Sequence, residues 1–219
     1  AEEVYTVAQH NLPVGAAVGV GQDTLQRSEA LIAAGATVLC LDVAHGDQES
    51  VHNVATSLLS TFPNAGLIVG NYATGHALER LLHAIPHKSL YFSDGRKRVA
   101  CKLSVGSGAL CTTRITTGFG VPTLQAVLDA QEVVQDFCDI IADGGIKNSG
   151  DICKSLAAGA EAVMLGSLLA GTAETPGQII SIDGNKFKVY RGAASYGAKS
   201  EFKYLGVINE GTIQLSEIT

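Results

Sequence analysis

Short apolar runs, each cut off by glycine or a polar residue and mostly followed by helical spacing, recur along this chain, and that alternation limits its possible folds more than any other feature. Six such units are legible. Residues 14–20 lead into a helix predicted over 23–34, with Asp23 as N-cap and Gly35 as stop. Residues 38–43 form the second run, which ends at Asp42, His45 and Gly46. The third, 67–70, ends at Asn71 and Thr74, and the string HALERLLHA after it has helical spacing. The fourth, 99–105, leads to Cys111, with its helix later, over 124–137. The fifth, 140–143, precedes Gly144, Gly145 and a helix over 151–158, and the sixth, 162–165, ends at Gly166 and Ser167. Nearly continuous apolar strands separated by helices make a parallel sheet covered by helices. Polar residues and glycines gather at the strands' carboxyl ends, where barrels and open α/β sheets alike bind ligands.

An open doubly wound sheet and a closed barrel both satisfy this pattern. Asp143-Gly144-Gly145 and Gly166-Ser167 follow successive strands, a placement suited to gripping one phosphate through backbone N–H groups, as the last two loops of a (β/α)8 barrel do. A dinucleotide-binding open sheet needs GxGxxG after its first strand, and GAAVGVG at 15–21 lacks that spacing. The fold class expected is therefore a (β/α)8 barrel, with six of its eight units visible.

Residues 104–118, SVGSGALCTTRITTG, carry the strongest chemical signal. Gly106 and Gly108 let the main chain approach a ligand closely, and Thr112, Thr113 and Arg114 are candidate donors to a Cys111 thiolate. Cys111 is the expected nucleophile, with a small buried hydrophobe as the plainer alternative. Composition fits a soluble intracellular, cytoplasmic domain: 46% hydrophobic residues, 25 glycines and no apolar run long enough to cross a bilayer. AEEVYTV is not a signal peptide. Five cysteines without paired spacing indicate reduced thiols, and Cys40, Cys101, Cys138 and Cys153 are assigned to packing. The six histidines show no metal spacing. The basic stretch HKSLYFSDGRKR, 87–98, is expected to be a solvated surface loop rather than a nucleic-acid contact, because the net charge is −6.

LPVGAAVGV, LDVAHGD, VGNYATG, GSGALCTTRITTGFGVPTLQAV, ADGGIKNSGD and KVYRGAASYGA, in this order, resemble the barrel segments of IMP dehydrogenase and its relative GMP reductase. The resemblance implies a barrel that binds a purine nucleotide and a nicotinamide dinucleotide, as a homotetramer. It implies that Cys111 attacks C2 of the purine, with Thr113 beside it and Glu210 on a mobile flap over about 192–212. Asp143 would hold the ribose hydroxyls, and Gly145, Gly166, Ser167 and Tyr190 the phosphate. Asp42, with His45 beside it, would meet the nicotinamide ribose, and Asn71 would lie near base and cofactor. The carbonyls of Gly106, Gly108 and Cys111 would form a potassium site.

Several residues depart from the family pattern. Ala109 stands where a phosphate-binding serine is usual, Ser104 where a glycine is usual, and Ala193-Ala194 where the family has Met-Gly. The flap contains no arginine for the usual Arg-Tyr base, and Lys203-Tyr204 is its nearest counterpart. With 219 residues against roughly 250 for a whole barrel, the expectation is a single, partial catalytic barrel domain over 1–219, with the first two strands and any CBS modules elsewhere. Three functions are expected in order: oxidation of IMP to XMP with NAD, reduction of GMP with NADPH, and non-catalytic nucleotide binding.

Overall fold

The computed structural model describes residues 1–134 and 136–192, and the backbone of 214–217. Six parallel strands lie side by side in chain order: β1 (Gly15–Val18), β2 (Val38–Asp42), β3 (Gly66–Tyr72), β4 (Val99–Leu103), β5 (Asp139–Asp143) and β6 (Ala162–Met164). The helices that alternate with them are α1 (Glu2–Gln9), α2 (Thr24–Ala33), α3 (Glu49–Thr61), α4 (Gly75–Ala84), the short α5 (Thr113–Thr117), α6 (Thr123–Val134), α7 (Ser149–Ala157) and the one-turn α8 (Ser167–Ala170). The sheet curls into part of a (β/α)8 barrel, the fold class expected from its sequence. A separate antiparallel sheet follows, of β7 (Ile179–Ile182), β8 (Asn185–Tyr190) and β9 (Gln214–Glu217).

Period-two burial explains the layering. In β2 the side chains of Leu39 and Leu41 are fully buried, while Val38, Cys40 and Asp42 alternate with them on the other face. Leu39, Leu41, Val69, Leu103 and Ile140 form a core with the apolar stripes of the helices, among them Leu78, Leu81 and Leu82 on α4 and Ala126, Val127 and Ala130 on α6. Burial of each leucine contributes about 1.5–3 kcal/mol. Thr74 caps α4 by accepting the Ala77 amide at 3.3 Å, and Asn148 caps α7 by accepting the Asp151 amide at 3.0 Å.

Several local expectations are corrected or extended. The first strand is shorter than residues 14–20, and Asp23, although it stands at the N-cap of α2, makes no capping hydrogen bond through its side chain. Helix α3 has no counterpart among the predicted helices, yet Val51, Ala55, Leu58 and Leu59 bury a stripe at helical spacing. The β7–β8 hairpin is likewise unanticipated, although Asp183-Gly184, both at positive φ (51° and 83°), is a strong two-residue turn signal.

The turn over 87–98 is solvated only in part: residues 87, 88 and 93–96 are exposed, but the stretch is anchored by buried residues. Leu90 is buried, Tyr91 pairs with Lys97, and Arg98 is only 7% exposed. Burial depresses the Arg98 pKa, and its guanidinium is satisfied by carbonyls, donating to Ala65 O at 2.9 Å and Phe62 O at 2.5 Å. This turn precedes β4, at the amino end of the sheet. Removing the Arg98 fork leaves Ala65 O unpaired and Phe62 O with the Ala65 amide alone, so Arg98→Met is expected to cost about 2 kcal/mol of stability in urea unfolding, whereas the exposed Arg96→Met should cost about 0.5 kcal/mol or less. Equal losses from the two variants would show that the Arg98 contacts do not hold this end of the sheet together.

Candidate active site

At the carboxyl ends of the strands lies a cavity of about 880 Å³. Asp42 from β2, Asn71 from β3, Lys102 from β4, Asp143 from β5, Cys111 from the turn after β4 and Tyr190 from β8 line it. Thr113, Gly106, Gly108, Gly145, Gly166 and Ser167 also border the space, so residues remote in sequence converge on one cavity. His45 does not join them: it is exposed on the loop after β2, with its carbonyl accepting from Gln48. Glu210, Lys203, Tyr204 and nearly all of the expected flap lie outside the described residues. Among the described residues no cluster of His, Cys, Asp and Glu could hold a metal ion, and no helix is long and apolar enough to cross a membrane.

Lys102 is the site residue that sequence reasoning missed. Its side chain is 5% exposed, and its ammonium donates to Asp42 Oδ1 at 2.5 Å and Asp143 Oδ2 at 3.2 Å. Strand register explains the reach: Asp42 pairs with Gly70, and Gly70 pairs with Lys102. A β-carbon at Gly70 would sit 2.5 Å from the Lys102 β-carbon, so only glycine leaves room for the lysine to cross β3 to β2. Asn71 Nδ2 completes the group, donating to Asp143 Oδ2 at 2.8 Å. Burial pulls the ammonium toward deprotonation, but Asp143 and Asp42 outweigh it, and the Lys102 pKa stands above its ordinary value. The neighbouring Cys40 thiol is pushed up to about 11, chiefly by burial, which keeps it a thiol at neutral pH.

The turn after β4 presents Cys111 half-buried, its Sγ 3.1 Å from the Thr113 hydroxyl. Of the three side chains expected to donate there, only Thr113 has a hydrogen bond to the sulfur among the described contacts, and in it the thiol donates and Thr113 Oγ1 accepts. Thr112 Oγ1 is buried without a partner, and the Arg114 side chain packs over Gly106 and Gly120. Gly106, at φ 82°, and Ser104, at φ 119°, set the path of the turn. For a residue bearing a β-carbon, a positive φ of this kind costs on the order of 1–3 kcal/mol. Cys101 and Cys138 are core thiols 3.8 Å apart, as the packing assignment requires, but Cys153 is exposed on α7. Lys188 of β8 donates to Thr172 O at 2.5 Å, Ala173 O at 3.1 Å and Thr175 O at 2.5 Å, which ties the strand bearing Tyr190 to the loop after α8.

Fold and cavity together define an α/β-barrel protein with a cavity at the strands' carboxyl ends, where barrels of this kind bind ligands. The chain belongs to the family described as IMP dehydrogenase / GMP reductase domain, whose sequence model matches residues 2–214. It is 47% identical over 190 residues to the inosine-5'-monophosphate dehydrogenase of Aquifex aeolicus, covering 86% of this chain and 36% of that protein. The protein of the same name from Nitrosopumilus maritimus is 47% identical over 193 residues, covering 86% and 38%. That of Streptococcus pyogenes is 45% identical over 204 residues, covering 91% and 39%. The chain thus spans little more than a third of the length of these relatives.

Lys102→Met strips two carboxylates of their shared cation. The expected loss is about 2 kcal/mol in urea unfolding at neutral pH, below the 3–5 kcal/mol of a fully buried pair because Asp42 is 41% exposed. A group whose folded pKa is raised stabilises fully below its unfolded pKa. The difference between wild type and variant should therefore stay level from about pH 7 to 9 and shrink only above about 10.5. A difference that shrinks already between those two lower values would refute this account of the network.

Proposed function

We propose that this chain carries the catalytic barrel of an IMP dehydrogenase, which oxidises IMP to XMP with NAD through a covalent bond from Cys111 to the purine. The observation that supports it best is the convergence, in one cavity, of a half-buried thiol 3.1 Å from a hydroxyl with two carboxylates that share one buried ammonium. The name of the relatives adds to this: each is an inosine-5'-monophosphate dehydrogenase.

In this reading Asp143 receives the ribose hydroxyls of the nucleotide, and the glycine turns at Gly145 and Gly166, with Ser167 and Tyr190, hold its phosphate. Cys111, as thiolate, adds to C2 of the hypoxanthine ring, with Thr113 steadying the sulfur. Asp42 and Asn71 orient the nicotinamide side of the cavity. Bound NAD supplies a hydride acceptor for the hydrogen leaving C2. The purine then remains joined to Cys111 as a thioimidate, and water replaces the sulfur to give XMP. Glu210 and Lys203-Tyr204, on the flap, would handle the proton of that water.

Carbonyls of Gly106, Gly108 and Cys111 would hold a potassium ion. Neutral oxygens suit a large, weakly hydrated cation. Gly108 O already accepts the Cys111 amide at 3.0 Å, and its second lone pair leaves a place for the ion. Bound there, the ion would stiffen the turn that carries the nucleophile. The same reading makes the whole protein a cytoplasmic homotetramer.

A second reading, GMP reductase, draws on one sequence feature: the flap stretch 196–206 contains no arginine. Absorbance of the reduced cofactor separates the two, using the full-length protein with IMP plus NAD and, in parallel, GMP plus NADPH. The expected result is reduction of NAD in the first mixture and no change in the second. Cys111→Ala should lower turnover by at least about 10⁴-fold and abolish the protein-bound purine seen by intact mass. Turnover that survives this substitution would exclude the covalent route, and oxidation of NADPH with GMP would favour the reductase.

A further inference from the structure

We propose that Ser104 and Ser107 form a hydroxyl bridge that positions the Cys111 turn against the end of β5, so that both are positioning residues for chemistry at the sulfur. The proposal rests on the reading of Cys111 as nucleophile. Ser104 directly follows β4, is 2% exposed and holds φ at 119°, where a side chain is strained. Such a residue persists only where its surroundings over-determine it. Here they do so three times. Its amide donates to Tyr72 O at 2.9 Å, its carbonyl accepts from Asn71 Nδ2 at 3.0 Å, and its hydroxyl meets the Ser107 hydroxyl in a short hydrogen bond.

Ser107 Oγ in turn donates to the backbone carbonyl of Asp143 at 3.1 Å. A serine hydroxyl has one proton to give. That of Ser107 is committed to Asp143 O, so Ser104 must supply the proton between the two hydroxyls. The bridge therefore runs in one direction, from Ser104 at the end of β4 through Ser107 to the last residue of β5. Alanine or glycine at either position breaks it.

From Ser107 the constraint reaches the sulfur in two steps. Gly108 packs so closely on Gly144 that a β-carbon at Gly144 would lie 2.7 Å from Ser107 Oγ and 3.1 Å from Gly108 N. Gly108 O then accepts the Cys111 amide at 3.0 Å. From the other side Thr123 Oγ1 donates to Gly144 O at 2.8 Å, so the surface against which the turn rests is itself held. The glycine that the family resemblance leads one to expect at 104 would adopt this backbone without strain, but it carries no hydroxyl to donate. In this chain a strained serine completes a link between the nucleophile's turn and the strand that carries Asp143.

The test uses the full-length protein and the variants Ser104→Gly, Ser107→Ala, Ser107→Thr and the Ser104→Gly/Ser107→Ala double. Three quantities are measured: the thermal midpoint, the single-turnover burst of reduced nicotinamide on mixing with IMP and NAD, and the rate at which iodoacetamide alkylates Cys111, located by peptide mass. Ser104→Gly and Ser107→Ala should each slow the burst about tenfold. Each should also change the alkylation rate by about threefold or more, because the environment of the sulfur moves. The double variant should be no worse than the worse single, since both substitutions remove one bridge. Ser107→Thr, which keeps the hydroxyl, should restore the burst.

A merely structural role would lower the thermal midpoint and leave burst and alkylation unchanged per folded molecule, and that result overturns the proposal. So do single effects that multiply in the double variant. If the unaltered protein gives no burst with IMP and NAD, the substrate reading fails separately. Alkylation then decides the bridge alone: a shared change in the two singles upholds it, and unchanged rates overturn it.

Discussion

One buried ammonium organises the ligand end of this sheet. Lys102 spends its charge on Asp42 and Asp143, which stand on strands to either side of its own. A lone charge at that depth would be expelled or neutralised, and two carboxylates facing each other across the sheet would repel. Together the three groups are stable, and their geometry fixes the separation of β2 from β5 at the level of the cavity. Gly70 is part of the same device, because the lysine reaches Asp42 only by passing over a residue with no side chain. Strand order, register and the absence of one β-carbon thus combine to set two carboxylates at a defined spacing.

The turn that follows β4 supplies what the strands cannot. Strand ends place groups along fixed directions, which suits carboxylates and amides that bind hydroxyls. The turn over 104–111 instead carries Cys111 on backbone conformations that regular structure does not offer, positive φ at Ser104 and at Gly106. At the opposite end of the sheet Arg98 spends its charge on carbonyls and Leu90 fills the core, so that end contributes stability.

Legibility in the sequence followed physical simplicity. All six parallel strands were readable to within a few residues because each is a short apolar run between glycines or polar residues, and Asp42, Asn71 and Asp143 were readable because they stand at the ends of those runs. Lys102 was not. In VACKLSV a single lysine reads as an outward polar position of a strand, and only the register that sets Gly70 beside it reveals an inward charge. Arg98 was hidden for a related reason: it closes a stretch rich in Lys, Arg and Ser, and composition cannot show that one of those cations lies beneath carbonyls. Helix α3 and the β7–β8 hairpin were legible in principle, through the Val51, Ala55, Leu58 stripe and the Asp183-Gly184 turn. His45 marks the reverse case, a residue adjacent to a strand end in sequence whose side chain stays outside the cavity.

The part of the cavity lined by Tyr190 follows from a separate constraint. Tyr190 belongs to the small antiparallel sheet of β7, β8 and β9, not to the strand-helix repeat. Lys188, buried and donating to three carbonyls over 172–175, joins it to the segment after α8. Those carbonyls lie shortly after Gly166 and Ser167, on the same stretch of chain, so the glycine turn of β6 and the tyrosine of β8 are held as one unit. A ligand that touches both therefore meets a wall whose two halves are already fixed to each other. The Cys111 turn is fixed to β5 by different contacts, the Ser107 hydroxyl on Asp143 O among them. Leu110, beside Cys111, lies so near Gly192 that a β-carbon there would stand 3.6 Å from its own, so the turn adjoins the chain that leaves β8 and the two anchored segments meet directly.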